Sequence, residues 1–170
     1  MSRTLRYGRR FLLLATLIAV PTLGAEPSGS VPPATQPTTE AKVVNTLKHN
    51  MTGKSRPDWC NVTGAGTLKG VNSGHFDRHY HDCNEYWMIV HGKAKVWCDG
   101  KTYYIHDGDI FCTPAGKEHD ILELYEPLQG FYLEDAVPPG GRVGHLHKTP
   151  EAAKGHAVPT LPVPADFPKD

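Results

Sequence analysis

Ten histidines stand in a chain of 170 residues, and two of them, His79 and His81, flank a single tyrosine. On an extended segment side chains two apart share a face, so these imidazoles lie close enough to share one ion. Glu85 has the same parity, six residues beyond His79. Further on, Pro114-Ala115-Gly116 forces a turn, and His119 opens another extended segment with Ile121 and Glu123 on its own face. Imidazole with carboxylate suits divalent Fe, Mn, Ni, Zn or Cu, each at about 2.0–2.2 Å, provided the groups converge. Convergence must come from elements distant in sequence.

Those elements read as short strands. Ala94, Val96 and Cys98 alternate with Lys93, Lys95 and Trp97; Asp99-Gly100 supplies a tight hairpin turn; Tyr103 and Ile105 resume the alternation before His106-Asp107-Gly108-Asp109 turns again. Tyr86 to Val90, Ile110 to Thr113, Asp120 to Leu124 and Gly130 to Leu133 complete a set rich in Ile, Val, Tyr, Phe and Trp. The expected fold class is all-β, an antiparallel sandwich or barrel. Residues 39–51 offer one short helix or edge strand.

The two histidine-bearing stretches resemble the motifs of the cupin superfamily. His79-x-His81-x-x-x-Glu85, with Gly92 seven residues after the glutamate, is similar to the first motif; Gly108, Pro114, Gly116 and His119 match the second. The 15 residues between Gly92 and Gly108 are the compact spacing of bacterial single-domain cupins. The resemblance implies a double-stranded β-helix (jelly-roll) barrel with one divalent transition metal held by His79, His81, Glu85 and His119, leaving one or two coordination positions for water, dioxygen or a substrate oxygen. Two features depart from the pattern. Gly74 sits one residue closer to His79 than usual, and Glu123 stands where an asparagine often ends the second motif.

Glu123 is therefore expected to face inward, either as a general acid or base or as a partner orienting a ligand histidine, and Tyr86 is the other candidate for moving protons. Trp87 and Ile89, with Phe131 or Tyr132, would line the barrel near the metal or simply pack its core. His145-x-His147, after Gly140-Gly141, is read either as surface or as a lid or weak second site over the barrel mouth. Cys60, Cys83, Cys98 and Cys112 allow three complete pairings, and buried thiols or one bridge are both open.

The flanks are of a different kind. Four arginines precede the apolar run Phe11 to Val20, Pro21 breaks it, and Leu23-Gly24-Ala25 offers a small-residue processing site, so residues 1–25 read as a secretory signal peptide. Arg9-Arg10 also resembles a twin-arginine leader without its full flanking pattern. The expected localisation is periplasmic or secreted, with no permanent membrane anchor. Residues 26–57 read as a flexible Pro/Ser/Thr-rich spacer, 58–137 as the barrel and 138–170 as a Pro-rich tail, unstructured from 150. Lys+Arg and Asp+Glu balance at 18 each, which offers no basic footprint for nucleic acid.

The leading functional expectation is a small-molecule metalloenzyme of oxygenase, lyase, decarboxylase or isomerase type. A non-catalytic module that captures a sugar acid or other oxyanion through the metal is the alternative. A purely structural barrel is the third, since the resemblance is compatible with a homodimer.

Overall fold

The computed structural model describes residues 41–169, so the leader and the first part of the spacer lie outside the described residues. Seven strands and one short helix follow in order: β1 (Gly64–Thr67), β2 (His75–Phe76), β3 (Glu85–Cys98), β4 (Lys101–Ile105), β5 (Ile110–Thr113), β6 (His119–Glu134), α1 (Pro150–Lys154) and β7 (His156–Ala157). Every pairing between these strands is antiparallel. β3 is the spine. Along one edge it pairs with β6; along the other it pairs first with β5 and then with β4. β1 continues beyond β6, while β2 and β7 form a separate ribbon. The architecture is the double-stranded β-helix.

Two strand pairs expected as separate pieces are continuous. Residues 86–90 and 94–98 belong to one strand, β3, and 120–124 and 130–133 belong to β6. The join is a bend: Gly92 adopts φ 110°, and the register with β6 shifts on both sides of it. Extra residues at such shifts bend a strand without ending its ladder. Any Cβ at Gly92 would overlap the Pro127 carbonyl, so glycine is required for close approach as well as for the dihedral. At the tip, Asp99 (φ 46°) and Gly100 (φ 88°) both take the left-handed conformation that a two-residue hairpin demands, which sets Cys98 opposite Lys101.

Burial follows the alternation. Trp87, Ile89, Ala94 and Val96 of β3 meet Ile121, Leu124 and Leu128 of β6 inside the barrel. In the spacer, residues 41–51 form neither helix nor strand; Met51 makes a single bridge to Ala65.

The tail is not unstructured. Thr149 caps α1, its hydroxyl accepting from the Ala152 amide at 3.1 Å, with Pro150 in the first turn where no amide is needed. β7 pairs with β2, and Phe167 is buried edge-on against Tyr104 and Tyr125. Prolines withhold donors but not acceptors. The Pro159 carbonyl takes the Leu124 amide at 2.9 Å, and the Leu161 amide returns to the Leu124 carbonyl at 2.8 Å, so a Pro-rich segment still docks on β6.

Candidate metal centre

The segment entering β3 carries three of the four expected ligands, and the start of β6 carries the fourth. His79 and His119 face each other across a backbone bridge, exchanging amide bonds of 3.2 and 2.8 Å. All four side chains are buried. The His119 Nε2 lies 3.1 Å and the His81 Nε2 3.6 Å from the Glu85 Oε2. One donor atom from each of the four groups lies within 4.8 Å of the others. A cation at about 2.0–2.2 Å from each ligand separates the ligands by roughly 3 to 4.4 Å, so only small adjustments would close such a shell.

Their hydrogen bonding fits the same reading. Nδ1 of His79 donates to the Asp77 carbonyl at 2.5 Å, and Nδ1 of His81 to the Gly144 carbonyl at 3.1 Å. Each bond directs the opposite nitrogen, Nε2, toward the centre. Among the described residues, the buried side-chain polar atoms without a hydrogen-bond partner are His81 Nε2, Glu85 Oε2 and both nitrogens of His119. Folded proteins leave few such atoms. A divalent cation would satisfy three of these four at once.

Electrostatics separates the groups. Burial, reinforced by the neighbouring His119 and His145, pushes His79 down to about 3, so its lone pair is free. Burial alone would raise Glu85, but His119 and His81 outweigh it and hold the carboxyl well below the usual carboxylate range. For His81 the penalty of burial is overcome by Glu85 and Glu134, which raise it. A cation held between these acids would compete with a proton for His81.

Glu123 and Tyr86 are not at this centre. Leu122 is an extra residue between Glu123, opposite Lys95, and Ile121, opposite Val96. That bulge rotates Glu123 outward, where the Tyr125 hydroxyl donates to it at 2.6 Å and the Lys95 Nζ lies at 3.4 Å. Tyr86 points away by simple alternation from Glu85 and Trp87, its hydroxyl 3.5 Å from Asp135 Oδ2. Phe131 is largely exposed, whereas Tyr132 faces inward.

The carboxylate that does stand beside the ligands is Glu134. It lies opposite Glu85 in the register, with Oε1 3.5 Å from His81 Nδ1. Burial raises its carboxyl, and Glu85 adds to this while His81 only partly offsets it. One more step of the alternation from Tyr132 would have found it. Glu134, Tyr132, Trp87, Glu85, His79 and His145 border a cavity of about 780 Å³, whose wall also includes Leu68, Val71, Phe76 and Arg56.

The His145-x-His147 segment does cross this mouth. The His145 ring stacks on His79 at 3.6 Å with 7° between planes, and the His147 Nε2 lies 2.7 Å from Asp77 Oδ2. All four cysteines carry free thiols. Cys83 is buried away from the cavity, where burial and then the acids Glu134 and Asp135 push its thiol up to about 12.

A double-stranded β-helix with three imidazoles and a carboxylate gathered at its mouth defines a class of barrel built around one ion site. Residues 70–124 match the family model for the cupin domain, and this segment of the chain is a cupin domain. Over 74 residues the chain is 36% identical to the uncharacterized protein y4oW of Sinorhizobium fredii, a match covering 44% of this chain and 34% of that protein. The chain thus spans about a third of the length of this curated relative. Among solved structures it is similar to the DMSP lyase DddQ from Ruegeria pomeroyi (19% identity, TM-score 0.48, 61% of this chain and 51% of that one). It is also similar to a cupin protein from Bacteroides fragilis (16% identity, TM-score 0.40, 65% of this chain and 93% of that one).

Proposed function

We propose that this chain is an exported, metal-dependent cupin enzyme that binds one divalent transition metal through His79, His81, Glu85 and His119 and moves a proton on a small organic acid, as a lyase, decarboxylase or isomerase does. The observation that carries this reading is the set of orphaned buried ligand atoms beside a cavity large enough for a small molecule, which Glu85 and His79 of the four-ligand cluster line directly. When bound, the cation supplies a Lewis acid that polarises a substrate oxygen. The protein supplies the rest. Glu134 is placed to take or return a proton at its carboxyl oxygens, beside the ligands but hydrogen-bonded to none of them through Nε2. Arg56, whose Nη1 is steadied by the Val62 carbonyl at 3.2 Å, offers its remaining donors to an anionic group in the cavity. Phe76, Val71 and Trp87 exclude water from the apolar part of the substrate. Export rests on the basic, apolar and small-residue sequence of residues 1–25.

Elemental analysis of protein from the exported fraction, beside a His79→Ala/His119→Ala double variant, tests the metal. About one equivalent in the wild type and none in the variant is expected. Deuterium exchange next to the carboxylate across a panel of small hydroxy and keto acids, followed by NMR, tests the chemistry. The Glu134→Gln variant should keep the metal and lose the exchange. Binding without exchange would favour capture of an oxyanion over turnover.

A further inference from the structure

Beside the buried cluster, Asp77 and His145 group with His79 so that their donor atoms lie within 4.8 Å of one another, and His147 reaches the same Asp77 carboxylate from the other side of Leu146. Asp77 follows β2, and its Oδ2 is approached by His145 Nδ1 at 2.9 Å and by His147 Nε2 at 2.7 Å. The two imidazoles share a side because residues 145–147 are extended, with Leu146 between them buried in the opposite direction. Leu146 and Tyr80 exchange both backbone hydrogen bonds, at 2.9 and 3.0 Å, so the pair is held in place before anything binds. His145 is about half exposed, and Asp77 and His147 are about a quarter exposed, so solvent reaches all three. Two imidazole nitrogens and one carboxylate oxygen, with open positions for water, form the donor set of a two-histidine, one-carboxylate site. The two nitrogen–oxygen separations need to widen only slightly, toward roughly 3.0–3.5 Å, to admit a cation at about 2.1 Å from each atom.

We propose that Asp77, His145 and His147 form a second divalent-cation site at the mouth of the cavity, distinct from the buried four-ligand centre and more readily exchanged with solvent. It shares no donor atom with that centre. Nδ1 of His79 is already committed to the Asp77 carbonyl, so the outer site takes Asp77 by its carboxylate. The stacking of His145 on His79 makes the two sites neighbours through one ring contact. An ion held at Asp77 therefore sits on the route by which an ion reaches the buried ligands, and also next to any anion entering the cavity.

The test is a Co²⁺ titration of untagged, metal-free full chain, read by isothermal calorimetry and by the visible absorption of the bound ion. Two equivalents are expected, the second leaving first on dialysis against a weak chelator. His147→Gln keeps a hydrogen bond to Asp77 but removes a ligand; it should weaken the second equivalent at least tenfold and leave the first unchanged. His145→Gln should do the same, and far-ultraviolet circular dichroism checks that each variant is folded. His119→Ala should instead remove the tight equivalent and retain the weak one. Saturation of the wild type at one equivalent, or a second equivalent indifferent to both glutamine variants, overturns the outer site while leaving the buried centre standing. Loss of the tight equivalent alone, with the weak one intact in every His119→Ala preparation, upholds the outer site whatever the barrel's chemistry proves to be.

Discussion

Replacing His119 by alanine should destabilise the protein by an amount that depends on whether metal is present, and the structure sets the size of that dependence. The side chain is fully buried and neither ring nitrogen has a hydrogen-bond partner, although Nε2 lies 3.1 Å from the Glu85 carboxylate. In metal-free protein two effects oppose each other. Emptying the imidazole's volume costs about 2–4 kcal/mol, and removing the unsatisfied Nδ1 returns about 1–3 kcal/mol. The net change then lies between a gain of about 1 kcal/mol and a loss of about 3 kcal/mol. With metal at 1,000 times its Kd the wild type gains about 4 kcal/mol that a variant lacking one ligand largely forfeits. For a domain of this size that is a further separation of roughly 12–20 °C in Tm. Thermal and urea unfolding of both proteins, in chelator and in saturating Zn²⁺, measure it. The same gap between wild type and variant in both solutions, to within about 1 kcal/mol, would refute the premise that these orphaned nitrogens exist to bind an ion.

Three further outcomes follow from other parts of the molecule. In native protein at pH 8 an alkylating reagent should modify exposed Cys112 first and Cys83 last, because a thiol pushed up to about 12 is ionised in only about one molecule in 10⁴; peptide mapping by mass spectrometry reads the order, and equal rates would contradict the burial described here. Burial opposes protonation of His156, but its 2.8 Å contact with buried Asp120 raises it overall, so its contribution is complete below the ordinary histidine value near 6.5 and lost as pH climbs through the raised one; urea unfolding should show His156→Gln more damaging at pH 5.5 than at pH 8.5. Gly92→Ala combines a left-handed dihedral with overlap on the Pro127 backbone and should lower stability by about 2–4 kcal/mol, whereas a change under about 0.5 kcal/mol in calorimetry would show that the bend relaxes freely.

The ligands were legible because their spacing is tied to periodicity and to turn residues: His79, His81 and Glu85 need only parity, and His119 follows a Pro-Ala-Gly turn. The hairpin at Asp99-Gly100 was legible for the same reason. Glu123 was misplaced because parity holds only while the ladder is regular, and a bulge at Leu122 leaves no local mark in the residues themselves. Glu134 was overlooked because β6 runs one residue beyond the apolar stretch that suggested its end. The tail misled through composition. Its prolines argued for disorder, yet their carbonyls serve as acceptors and Phe167 supplies the anchor.

Synthesis runs from the amino end, and this imposes an order on the centre. His119 is made some twenty-five residues before Gly144, whose carbonyl fixes the tautomer of His81, and before His145, which lies flat on His79. A nascent chain that has just released β6 from the ribosome therefore has every ligand but not the strap that aims them. On the metal-binding reading proposed above, tight capture of a cation would wait until residues 140–147 have crossed the mouth.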